Sequence, residues 1–121
     1  MPLSETNPQW EEPPPPPGVY YPPTVGTSMT SAIHANNATS GGYILSDGGA
    51  TVIDRGVCWN TDENPTTAGN CTRDGTGTGE FTSIITGLEP DSIYHVRAYA
   101  TNRDPYGIVR TGYGEERRGP F

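Results

Sequence analysis

The chain has 121 residues, enough for one modest core and not for two. Only 31% of them are hydrophobic, and 16 glycines and 13 prolines point to a turn-rich chain rather than a helical bundle. Net charge is −7 and all seven basic residues are arginine, so the basic footprint that nucleic acid needs is missing; no apolar run approaches the roughly 20 residues of a membrane-spanning helix.

Residues 1–23 read as one unit, an extended proline-rich N-terminal arm. The opening Met1-Pro2-Leu3-Ser4 carries no basic and apolar leader, so the expectation is a protein made in the cytosol that stays there or leaves by another route, such as packaging in a virus particle. Pro13 to Pro17 cannot join a helix or a sheet interior and favour polyproline II, at about 3.1 Å per residue. Around them stand Trp10, Val19, Tyr20 and Tyr21, large side chains that bury much area at low entropic cost and are the natural anchors for a partner.

From Thr24 onward the pattern changes to alternating apolar and polar residues punctuated by glycine. It predicts strands over 25–33, 39–45, 51–60, 79–86, 92–102 and 108–116, with a short one near 70–73. Ser46-Asp47-Gly48-Gly49 and Asp74-Gly75 supply turn residues that tolerate positive φ, and Asp62-Glu63-Asn64-Pro65 opens a polar loop. In the strand from Ile93, residues Tyr94, Val96, Ala98 and Ala100 share one face, predicted to be core. Ile93, His95, Arg97 and Tyr99 share the other, predicted to be mixed. Arg103-Asp104-Pro105-Tyr106-Gly107 then makes a projecting hairpin loop. The ending Arg117-Arg118-Gly119-Pro120-Phe121 predicts a short last strand and an unpaired edge, blunted by charge and proline or used by a neighbouring subunit's arm. Tyr106, Arg117, Arg118 and Phe121 are the candidate contacts there.

Just before the strand at Ile93, Leu88, Pro90 and Tyr94 form a Leu-x-Pro-x-x-x-Tyr pattern that matches the tyrosine corner of immunoglobulin-like sandwiches. Together with Ala38-Thr39-Ser40-Gly41-Gly42, Ser46-Asp47-Gly48-Gly49, Arg55-Gly56-Val57-Cys58-Trp59, Asn64-Pro65-Thr66, Gly75-Thr76-Gly77-Thr78-Gly79 and Tyr113-Gly114-Glu115-Glu116, it makes residues 24–116 resemble the fibronectin type III-like domains of bacterial surface and secreted proteins and of phage virion proteins. The resemblance implies an all-β fold: an antiparallel, two-sheet immunoglobulin or fibronectin type III-like sandwich over residues 24–121, behind the arm. By the same alignment Cys58 lies on a central strand and Cys71 just beyond the connecting loop, which admits either a hairpin-like disulfide or two buried thiols.

Residue types that carry chemistry are sparse. His34 and His95 fall in separate strands, and His95 is expected at the surface or an interface. Neither a Gly-x-Ser-x-Gly elbow nor a phosphate loop ending in Gly-Lys-Ser/Thr occurs. Gly75 to Gly79 lacks the helix and basic residue of a phosphate cradle. Asp62, Glu63 and Asp74 have no recognisable calcium-loop spacing, and two cysteines with two separated histidines do not make a zinc site. Asn37-Ala38-Thr39 and Asn70-Cys71-Thr72 are formal glycosylation sequons of a kind that arises by chance in Asn- and Thr-rich chains.

The expectation is therefore a protein without enzymatic activity, cofactor or metal: a structural subunit of a repeated virion or extracellular surface assembly whose arm docks on copies of itself or on another assembly protein. The alternative is an adhesion or carbohydrate-binding module acting through loops 62–69 and 103–107, with glycan as partner. Sandwiches are scaffolds, and roles lie in particular loops, edges and tails.

Overall fold

In the computed structural model the described residues are 19–31, 33–34 and 36–120. They form eight strands: β1 (Thr24–Thr27), β2 (Ala38–Ser46), β3 (Thr51–Asn60), β4 (Asn70–Cys71), β5 (Gly79–Ile85), β6 (Ile93–Arg103), β7 (Val109–Tyr113) and β8 (Arg117–Pro120). Among the described residues there is no helix. One sheet has the order β1-β2-β5; the other runs β4-β3-β6-β7, with β8 pairing the early half of β6, and all pairs are antiparallel.

The two sheets pack face to face, because both contribute to a single core. Ala38 and Ile44 of β2 with Phe81 and Ile85 of β5 meet Val52 and Val57 of β3 with Tyr94, Val96, Ala98 and Ala100 of β6. Alternation along β6 thus places its predicted core face inward. Each buried Val or Ile side chain contributes about 1.5–3 kcal/mol through removal from water. The sheets approach closely at Gly42, where a Cβ would stand 2.6 Å from the Ala98 methyl carbon. Small residues on both sides are what that spacing requires.

At the corner, the Glu89 N–H donates to the Tyr94 hydroxyl at 2.7 Å, closing the turn that Leu88, Pro90 and Tyr94 predict; Leu88 is buried beneath it and Pro90 is exposed.

Two expectations change. The first strand stops at Thr27 instead of reaching residue 33, leaving only an isolated bridge from Ser31 to Thr39. Thr27 stays paired with Gly42, but its other edge is taken up from outside the small sheet: its N–H donates to Glu115 Oε1 (2.6 Å), its carbonyl accepts from Arg117 Nε and Nη2 (3.3 and 3.0 Å), and its Oγ1 accepts the Ala98 N–H (2.9 Å). The same clasp splits the last strand. Gly114 still donates to Ala98 O (2.9 Å), Glu115 reaches Thr27, and Arg117–Pro120 resume the pairing against Ile93–Val96. The C-terminal edge expected to be unpaired is therefore a strand, and β6 is covered along its early half.

Candidate interaction surfaces

The first surface is the end of the sandwich where the arm arrives. Val19 (43% exposed) and Tyr21 (64%) face outward, but Tyr20 is 4% exposed and packs on its own domain. Its ring meets Tyr106 edge-on at 6.4 Å between centroids, and the Arg110 guanidinium lies 5.9 Å from its centroid. Burial first, then Tyr106 and Asp104, raise the Tyr20 hydroxyl pKa against the opposing pull of Arg110. Behind it the backbone is pinned. The Tyr21 N–H donates to Gly48 O (2.9 Å), and the buried Asn102 side chain donates to both Tyr21 O (2.8 Å) and Asp47 O (2.7 Å). Pro23 O sits where a Cβ on Gly112 would be, 2.0 Å away, so only glycine admits the chain there. Residues 20–23 thus extend the packing of the sandwich upstream of Thr24. Trp10 and Pro13–Pro17 lie outside the described residues.

The hairpin loop between β6 and β7 is built around Asp104. Its Oδ1 accepts the N–H groups of Tyr106 (2.8 Å) and Ile108 (3.0 Å), and its Oδ2 accepts from Arg110 at 2.7 Å. Burial works to raise this carboxyl, but Arg110 and the two N–H donors outweigh it and hold it below its ordinary range. Between this loop, the turn at 47–50 and the arm root lies an open pocket of about 410 Å³, lined by Tyr20, Asp47, Ile53, Arg103 and Pro105 among others. The structure thus brings together an arm anchor, Tyr20, and the interface-loop residue Tyr106, which the sequence placed in separate groups.

The second surface is the outer face of the larger sheet, and it is largely covered. Loop 61–69 lies back across it instead of projecting. Asn64 N–H donates to Glu116 Oε1 (2.7 Å), Thr67 N–H to the Tyr113 hydroxyl (3.1 Å), and Arg97 Nε to Pro65 O (2.7 Å). Arg97 also stacks 4.0 Å above the Tyr113 ring. His95, expected at a surface or interface, is only 8% exposed, with Nδ1 against Glu116 Oε2 at 2.5 Å. Partial burial works to raise the Glu116 carboxyl; the Asn64 N–H and His95 outweigh it, so its pKa is lowered. At the foot of the loop Cys58 and Cys71, directly opposed across β3 and β4, are joined in a disulfide. Further along, Tyr99 reaches Thr72 O at 2.7 Å; burial first, then Asp54, push its pKa up.

Arg55, unremarked in the sequence beyond its place in a motif, turns toward the gap between the sheets. It lies 5.2 Å from the Phe81 centroid and donates to the carbonyls of Asp74 (3.1 Å), Gly77 (3.3 Å) and Thr78 (3.1 Å). The glycine-rich stretch thus presents carbonyls, not amides, to its neighbour, the reverse of an anion cradle. Asp74 Oδ2 accepts from Thr72 (2.6 Å) and Ser83 (2.5 Å), apart from Asp62 and Glu63. Arg117 is spent on Thr27, Arg118 is exposed on β8, and Phe121 lies outside the described residues. A single arginine in an alternating strand gives no signal for these roles, which depend on what the other sheet places opposite.

No protein-family model, curated protein or solved structure matches the chain. Among the described residues no three His, Cys, Asp or Glu side chains gather as metal ligands, and no helix is long and apolar enough to cross a membrane.

Proposed function

We propose that this chain is a non-enzymatic structural subunit of a repeated assembly, in a virion as a decoration or fibre component or in a bacterial surface filament. In this reading a fibronectin type III-like body is displayed while the proline-rich arm docks on neighbouring subunits. The observation that carries it is the fixed arm root. Tyr20, the Tyr21 peptide and Pro23 are bound into the sandwich end beside an open pocket, so the root of the arm is held at a defined place. An arm tethered in this way loses less freedom on docking than one hung from a loose linker. The sheet orders and the Glu89–Tyr94 bond agree with the family resemblance and support the body assignment. The adhesion reading draws less support, since loops 62–69 and 103–107 direct many of their polar groups into the domain.

The test is solution mass and shape, by light scattering with negative-stain microscopy, for the full chain and for one lacking residues 1–18, with circular dichroism confirming that both are folded. Assembly by the full chain alone is the expected result. Equal masses for two folded proteins would remove the arm from any such role.

A further inference from the structure

The edges of the two sheets are not treated alike. In the larger sheet, β4 is two residues long and bound to β3 by the disulfide, while β7 and β8 carry Arg110, Arg117, Arg118 and Pro120. In the smaller, β1 is four residues long with a register shift between Thr24 and Val25. Charge, proline, brevity and irregularity are the usual means of discouraging edge pairing. The remaining edge, β5, carries one charge, Glu80, but no proline, and is neither short nor shifted in register. Gly79-Glu80-Phe81-Thr82-Ser83-Ile84-Ile85 is a regular seven-residue strand paired to β2 on one side, and no described strand pairs with the other. Its outward residues Glu80, Thr82 and Ile84 are exposed, Ile84 by 56%.

We propose that β5 is a docking edge and that its occupant is a second copy of this chain, with the two strands antiparallel about Thr82. Charge favours that arrangement over parallel in-register pairing. Pairing about Thr82 sets Glu80 opposite Ile84 of the second copy and Phe81 opposite Ser83. The two Glu80 residues then stand four positions apart, about 14 Å along the strands and beyond the screening length of about 8 Å at physiological salt. In-register parallel pairing would instead oppose Glu80 to Glu80 at about 5 Å, which like charges disfavour. Threonine directly across from threonine is a favourable cross-strand pair, and Phe, Thr and Ile suit a sheet. Within the arm, Pro13 to Pro17 have no N–H groups to offer a ladder. This two-fold contact adds an interface of its own to the assembly role proposed above.

The test is sedimentation equilibrium of the full chain over a wide concentration range, repeated with Thr82→Lys, which sets two ammonium groups in direct opposition on an exposed position. The expected result is a reversible dimer whose dissociation constant rises roughly fivefold or more in the variant. Register is read by oxidation: Thr82→Cys forms a disulfide-linked dimer, whereas Glu80→Cys, four positions from its counterpart, does not. A chain that stays monomeric throughout, a dimer indifferent to Thr82→Lys, or equal cross-linking at both positions overturns the proposal. Loss of association on removing residues 1–18 with no response to Thr82→Lys would leave the arm reading standing and sink this one. The opposite pair of results would do the reverse.

Discussion

The larger sheet and the smaller one are made from similar alternating sequence, yet they finish their surfaces differently. Over the larger, loop 61–69 is folded down by Asn64, Thr67 and Arg97, the disulfide ties β4 in place, and β8 returns to cover the early half of β6. Among the described residues the smaller sheet has only three strands and leaves β5 with one side unpaired. What joins the two is Thr27, the last residue of β1, which stays paired with Gly42 and also bonds the other sheet side through its amide, carbonyl and hydroxyl. The difference teaches that closing one sheet draws on residues of the other: Glu115 and Arg117 can cap Thr27 only because the last strand breaks between β7 and β8.

The contrast can be broken most severely at the disulfide. Its cysteines are 13 residues apart, and replacing both with alanine is expected to cost about 3 kcal/mol in urea unfolding, with most of the added hydrogen exchange confined to loop 61–69. Unchanged stability would mean that the loop is held by its polar latches alone. Thr27→Val keeps the shape and removes the oxygen that accepts the buried Ala98 N–H; a loss of about 1–3 kcal/mol is expected, read as a lower melting temperature. If Thr27→Val melts like the parent, the clasp is not what fixes β1 against β6. Tyr94→Phe, which removes the corner bond alone, is expected to cost about 0.5–1.5 kcal/mol and to leave the rest of the fold intact by circular dichroism.

The smallest effect expected is the response to acid. The Thr27 N–H, first among the causes, holds the Glu115 carboxyl below its ordinary 4.5; Glu116 is likewise lowered once the Asn64 N–H and His95 outweigh its partial burial. Carboxyls with depressed folded-state values contribute stability that is fully present above their ordinary range and is lost as pH falls through the lowered value. Melting temperature should therefore decline gradually from about pH 4.5 downward, and Glu115→Gln should shallow that decline. An identical acid profile in the variant would detach Glu115 from it.

Much of this was legible along the chain because its causes are local. Strands β2, β3, β5 and β6 follow from alternation with period two, the turns at Gly48 and Gly75 from residues that accept positive φ, and the corner from the spacing of Leu88, Pro90 and Tyr94. What escaped has distant causes. Arg117 to Pro120 has neither alternation nor strand propensity, and becomes β8 because β6 still offers an open ladder there. His95 and Arg97 look like surface residues until Glu116, 21 positions downstream, meets the first and Pro65, 32 positions upstream, meets the second, and Tyr20 looks like an outward anchor until Tyr106 and Arg110 close around it. By itself the sequence determined β2, β3, β5 and β6 and the apolar face of β6, since both depend on neighbours one or two residues away. Tertiary structure alone decided which edges are sealed and which is left bare, since hydrogen-bond partners across a sandwich are set by how two sheets meet.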